Sequence, residues 1–161
     1  MKIILLLITL FYISPINSYA KWIYTKNIDE MTSEASYTWA TKEITNSKKS
    51  QLLIFRSSSI NSIGLLITNN RIIDAINGDR VDILVRFDNK QPITYENIMV
   101  GNNYRIAFIW DEDRVKDFLN RIAESKEIKI QIAIYGDGYA IEKFNVSGLN
   151  LNEVNKLMFQ K

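Results

Sequence analysis

From Val81 to Phe87 every second residue is apolar (Val81, Ile83, Val85, Phe87), and from Ile128 to Ile134 every second residue is an isoleucine. A helix cannot use a period of two. An extended strand can, because successive side chains point to opposite faces. Asp82, Arg86 and Asp88 then share the other face of the first stretch, and Lys129, Gln131 and Tyr135 that of the second. Further strands are read at 21–26, 35–44, 62–68, 93–100, 104–110 and 139–148, most of them with the same alternation, and 50–57 is a short, buried-looking run. Tight turns are expected at Asn69-Asn70, Asn77-Gly78-Asp79, Gly101-Asn102-Asn103 and Gly136-Asp137-Gly138, where residues tolerant of positive φ cluster. Residues 71–76 are expected to pair back onto 62–68, and a slip in alternation between Ile141 and Phe144 suggests a bulge. The period changes in 111–125, where Val115, Phe118, Leu119, Ile122 and Ala123 recur at three and four residues behind Asp111 and Asp113 as candidate caps. Residues 150–159 read as a short helical or frayed tail. The expected fold is mainly β: an antiparallel β-sandwich or flattened barrel of about eight to ten strands. One amphipathic α-helix (about 111–125) would cover an end or an open edge of the sheet.

The chain opens with MKIILLLITLFYISPINSYA. Lys2, the apolar run Ile3 to Ile13, and Ser18-Tyr19-Ala20 supply the basic, apolar and small-residue parts of a secretory signal peptide, expected to span residues 1–20. The run is short for a bilayer, which takes ~20 apolar residues, so no stable membrane span is expected after cleavage. Residues 21–161 then form one β-rich domain, long enough to bury its core without staples. It has no cysteine with which to build one. An exported chain without disulfides fits a bacterial periplasmic or secreted protein. Lys plus Arg number 20 against 18 Asp plus Glu, a near balance that argues against a nucleic-acid partner, which calls for a concentrated basic face.

With neither histidine nor cysteine, a Ser-His-Asp triad, a thiol nucleophile and an ordinary zinc site are closed to this chain. There is no glycine loop for phosphates, and no cofactor or metal is expected. Paired carboxylates, a Ser-Lys dyad and an oxygen-ligated calcium site stay open. Asp111-Glu112-Asp113 sits where a helix wants a cap and negative charge. Gly136-Asp137-Gly138 suits a hairpin better than a calcium loop, since no spaced acidic ligands follow it. Asp29, Glu30 and Glu34 have no partner at a readable spacing, and Ser57-Ser58-Ser59 lacks a glycine elbow. Trp22, Tyr24, Tyr37 and Trp39, on two early strands, are candidate partner-binding residues, although core packing is the commoner use of strand aromatics. Arg56 and Arg86 are candidates for holding a partner's carboxylate, although pairing with a neighbour such as Asp88 is the default use of such arginines, so the polar row of residues 82–88 reads as a solvated face.

Trp22, Asp29-Glu30-Met31-Thr32, Leu53 to Arg56, Arg86-Phe87-Asp88, Phe118 to Ile122 and Phe144 to Leu149 occur together in one order. In this the chain resembles the VasI-type family of type VI secretion-associated proteins and its prophage-borne relatives. Where that family has a cysteine after the arginine, this chain has Ser57, so any family disulfide is missing. The chain is also similar, more broadly, to the invasion-associated locus B family of exported proteins. Neither family carries a catalytic role to transfer, and both resemblances imply an exported, β-rich accessory protein.

The expected function is therefore non-enzymatic: a periplasmic or secreted accessory or binding protein that presents a β-sheet face or edge to a protein or cell-envelope component. Two alternatives remain at this stage. One is a cofactor-free envelope glycan hydrolase using paired carboxylates; the other is an exported inhibitor of a host or rival enzyme such as lysozyme.

Overall fold

The computed structural model describes residues 22–30, 32–42, 50–57, 60–68, 71–75, 79–101 and 103–159. The leader assigned to 1–20, Asn69-Asn70, Asn77-Gly78 and Asn102 lie outside them. Nine strands follow one another: β1 (Ile23–Ile28), β2 (Ala35–Lys42), β3 (Gln51–Arg56), β4 (Asn61–Leu66), β5 (Arg80–Phe87), β6 (Ile93–Gly101), β7 (Ile106–Ile109), β8 (Glu127–Ile134) and β9 (Gly138–Asn145). Two helices, α1 (Glu112–Ala123) and α2 (Leu151–Phe159), complete the order. All nine strands form one antiparallel sheet in the order β1-β2-β3-β4-β7-β6-β5-β8-β9.

The sheet curls but does not close into a true barrel. Where its two ends approach, side chains span the gap. The Trp22 indole Nε1 donates to the Val146 carbonyl at 3.3 Å, and the Thr41 hydroxyl donates to the Asn145 carbonyl at 3.3 Å. Register sets one inner face across every strand. Trp39 lies opposite Ile54, Ile54 opposite Ile63, and Ile63 opposite Ile109; Ile83 lies opposite both Tyr95 and Ile132, and Ile132 opposite Ala140. All of these are buried, as are Val81, Val85, Phe87, Ile128, Ile130 and Ile134. The alternation read in the sequence is thus the inner face of the sheet.

The helices cover that face. Asp111 caps α1, its carboxylate accepting the Arg114 N–H at 3.0 Å. Val115, Phe118, Leu119 and Ile122 turn inward, while Ala123 is exposed. The Phe118 ring meets Phe87 edge-on at 5.4 Å and Tyr95 at 5.3 Å, a geometry the aromatic quadrupole favours. The Tyr95 hydroxyl donates to Asp117 Oδ2 at 3.0 Å, and Arg121 Nε bonds both Asp117 oxygens at 2.9 and 2.8 Å. α2, expected as no more than a short tail, adds a second cover. Val154 and Met158 are buried, and Asn61 Nδ2 donates to the Met158 carbonyl at 2.8 Å.

Two local expectations change. Residues 71–75, the described part of the 71–76 segment, do not pair back onto β4, whose neighbours are β3 and β7; among them Ile73 makes an isolated bridge to Ile134. The alternation slip in β9 is not a bulge, since β8 and β9 pair without a shift from Glu127↔Asn145 to Ile134↔Gly138. The cause is a buried acid. Glu142 occupies an inward position at 0% exposure, and Arg71 Nη1 lies 2.7 Å from its Oε1. Arg71 also donates to Ser50 Oγ at 3.2 Å and to the Thr68 carbonyl at 3.4 Å. The register break falls between β5 and β6, where Glu96 and Asn97 face Asp82 alone. Asn97 takes φ 54°, and its N–H donates to Asp82 Oδ1 at 2.8 Å. The extra residue lets Tyr95 and Ile98, three apart, both point inward.

Two stability predictions follow from these polar ties. Arg71→Met strands the Glu142 carboxylate and should cost about 3–5 kcal/mol in urea unfolding, most of it recovered by adding Glu142→Leu. The Arg121 guanidinium, helped by the Tyr95 hydroxyl, holds the Asp117 carboxyl below its ordinary value of 3.8. Its contribution is then complete above that value and is lost as pH falls through the lowered one. Asp117→Asn should flatten the acid limb of a Tm-against-pH curve, modestly, because the pair is nearly half exposed.

Candidate functional site

On the outer face the sheet is divided. Across β5, β8 and β9 the outward residues include Asp82, Arg86, Lys129, Gln131 and Lys143, as a wet face requires. Across β3, β4 and β7 most of them are apolar (Leu53, Phe55, Leu66, Ile106, Phe108), and they frame an open groove of roughly 330 Å³ lined by Thr38, Leu53, Phe55, Ile60, Ser62, Gly64, Ile106 and Phe108. Register explains its shape. Leu53 lies opposite Gly64, and Gly64 opposite Phe108, so the middle strand contributes a low floor between two walls. Ser62, the next outward residue of β4, sits opposite Phe55 and extends that floor. A Cβ at Gly64 would come 3.2 Å from Ile106 Cδ1, and one at Gly101 would come 3.2 Å from Phe108 Cε1. The two glycines let the wall side chains lie down against the sheet.

The sequence-predicted residues fall into two groups. Tyr24, Tyr37 and Trp39 come together on the inner side of β1 and β2, while Trp22, just before β1, packs part-buried against the core and bonds the Val146 carbonyl. Tyr24 stacks on Tyr37 at 6.4 Å and meets Trp39 at 5.5 Å, and Tyr37 stacks on Trp39 at 6.4 Å. Trp39 is core, whereas Tyr24 is 45% exposed. Partial desolvation, then Tyr37 and Glu153 of α2, push the Tyr24 phenol up. Arg56 ends β3 opposite Tyr37, at the border of this cluster. Arg86 stands apart on the outer face of β5, opposite Lys129, beside a hollow that also includes Leu84, Pro92, Gln131 and Ile141. Asp88 is not its partner, for its Oδ1 accepts the N–H groups of Lys126 and Glu127, both at 2.9 Å. Asp88 takes φ 49° at the turn after β5, which aims its carboxylate at the backbone entering β8.

The groove itself was not singled out from the sequence. Its signal is there: Leu52 to Phe55 and Ile106 to Trp110 are apolar at consecutive positions, and a strand apolar on both faces cannot have a wet one. None of the groove's lining residues is a carboxylate. Among the described residues no three His, Cys, Asp or Glu side chains gather as a metal site, and no helix is long and apolar enough to cross a membrane.

The architecture is that of a curled antiparallel sheet with two covering helices, and it has a structural counterpart. The crystal structure of invasion associated protein B from Bartonella henselae superposes with a TM-score of 0.56 and 12% identity, over 87% of this chain and 95% of that one. At that identity the likeness is one of fold. No protein-family model matches the chain, and no curated protein sequence does either. The type VI secretion-associated resemblance is therefore corrected in favour of the invasion-associated one. The matched motifs explain the error: Arg86-Phe87-Asp88 is an outward residue, a core residue and a turn residue, and Phe118 to Ile122 is the buried stripe of α1. Sheet geometry requires such pieces in unrelated proteins.

Gly64→Ala should leave the fold intact and cost no more than about 1 kcal/mol, since the crowded atom is the far end of the flexible Ile106 side chain. Thermal unfolding beside wild type checks this; a collapse in Tm would show that Ile106 has nowhere to move.

Proposed function

We propose that the chain is an exported, non-enzymatic accessory protein of a bacterial envelope, freed of residues 1–20 on export, that binds a protein partner in the outer groove. The observation that carries this is the groove: a contiguous apolar surface on a sheet face that would otherwise be wet. The partner's chemistry follows from what the groove lacks. β3, β4 and β7 are each paired on both sides, so an entering segment finds side chains but no free backbone groups. An amphipathic helix satisfies its own backbone and needs only apolar contact along one stripe. The fold likeness to an invasion associated protein supports an envelope or secreted setting.

Glycan hydrolysis is the less favoured reading. A general acid needs a carboxyl raised above its ordinary value, whereas Asp117 is lowered, away from the groove, and tied to Arg121. Inhibition of a host or rival enzyme is a special case of partner binding, in which the captured partner is an enzyme.

A photo-crosslinking residue in place of Ile60, at the groove rim, should yield one discrete adduct in living bacteria, lost on adding Phe108→Asp. The same residue in place of Lys129, on the polar half, should yield none. Equal crosslinking at both positions would remove the groove from consideration, and mass spectrometry of the adduct tells an enzyme from another partner.

A further inference from the structure

Among the described residues, β1 is an open edge of the sheet. β2 pairs with one side of it, and the gap to the far end of the sheet is spanned by the Trp22 indole and the Thr41 hydroxyl, not by a ladder. All six residues of β1 are exposed, Ile23 and Tyr24 at 45% and Ile28 at 60%. Proteins protect such edges with proline, a bulge, a cover or charge. β1 contains no proline, and its register with β2 is unbroken from Ile23↔Ala40 to Ile28↔Ala35. Its one charged residue, Lys26, places its ammonium 5.8 Å from the centre of the Tyr37 ring, on the inner face.

We propose that this edge docks a second copy of the chain, β1 against β1, on a two-fold axis through Thr25. Two identical antiparallel strands in a continuous sheet are related by an axis normal to it, which keeps like faces together. Such an axis passes between two copies of one residue. Centring on Thr25 or on Lys26 each aligns five of the six residues. The Lys26 centre sets two ammonium groups directly opposite each other, a destabilising arrangement. The Thr25 centre opposes no like charges: Thr25 meets Thr25, Tyr24 meets Lys26 of the other copy, and Ile23 meets Asn27. Threonine pairs are favoured across strands, and each Lys26 is offered an aromatic face at the margin of the Tyr24–Tyr37–Trp39 stack. The edge is distinct from the groove, so this dimer stands or falls independently of the partner assigned there.

The chain has no cysteine, so introduced thiols report the register without background. In the protein recovered from an exporting bacterium, Thr25→Cys should give a disulfide-linked dimer under mild oxidation. Asn27→Cys alone should not, whereas an equimolar mixture of Ile23→Cys and Asn27→Cys should. Light scattering should give twice the chain mass for wild type and the single-chain mass for Thr25→Lys, with unchanged circular dichroism. A wild type that stays monomeric at high protein concentration overturns the proposal and leaves β1 to another protein's strand. A dimer that survives Thr25→Lys, or crosslinking of Asn27→Cys alone as fast as Thr25→Cys, overturns it equally.

Discussion

A curled sheet whose end strands do not pair must bury its inner face by other means, and the molecule is organised around that requirement. Phe118 is the central piece. Packed edge-on to Phe87 of β5 and against Tyr95 of β6, it fixes α1 over the inner face, and the Tyr95–Asp117–Arg121 ties hold the helix from its flank. α2 adds a second cover, with Val154 and Met158 buried and Met158 held through its carbonyl by Asn61 of β4. Arg71 links the segment after β4 and Ser50 at the entry to β3 with Glu142 on β9. Such a pair contributes little net stability against apolar side chains of the same volume, but it is expensive to leave half made. It thereby favours one arrangement of three distant segments.

With the inner face covered, the outer one is left open. Half of that face carries charges and amides, as a solvated sheet does. The other half replaces them with Leu53, Phe55, Ile106 and Phe108 around the low strand β4. Burying these residues would have stabilised the chain, and no element of its own does so among the described residues. A groove of this kind with no carboxylate in its lining suits binding, and a rigid sheet beneath it keeps the entropic cost of binding low.

Much of the fold was legible in residue order. The two runs of alternation at 81–87 and 128–134, the helix behind Asp111 and the hairpin at Gly136-Asp137-Gly138 rest on local rules, and β5, β8, α1 and the β8–β9 turn obey them. The aromatic group was legible as types on two strands, though pattern could not distinguish buried Trp39 from half-exposed Tyr24. Misreadings arose where a distant residue intervened. Glu142 looked like a break in β9 because its partner Arg71 lies far away in sequence, and Asp88 looked like a partner for Arg86 because they are neighbours in sequence.

By itself the sequence determined the strand period, the single strong helix, the turn at Gly136-Asp137-Gly138 and the lack of thiol and imidazole side chains, because these depend on a few adjacent residues or on composition. Tertiary structure alone decided that β4 sits between β3 and β7, that Gly64 lies between Leu53 and Phe108, that Glu142 finds Arg71, and that β1 is left at an edge. Each of those facts is a pairing across the sheet. Pairing partners are selected by the burial of the whole inner face at once, a condition that no short stretch of chain contains.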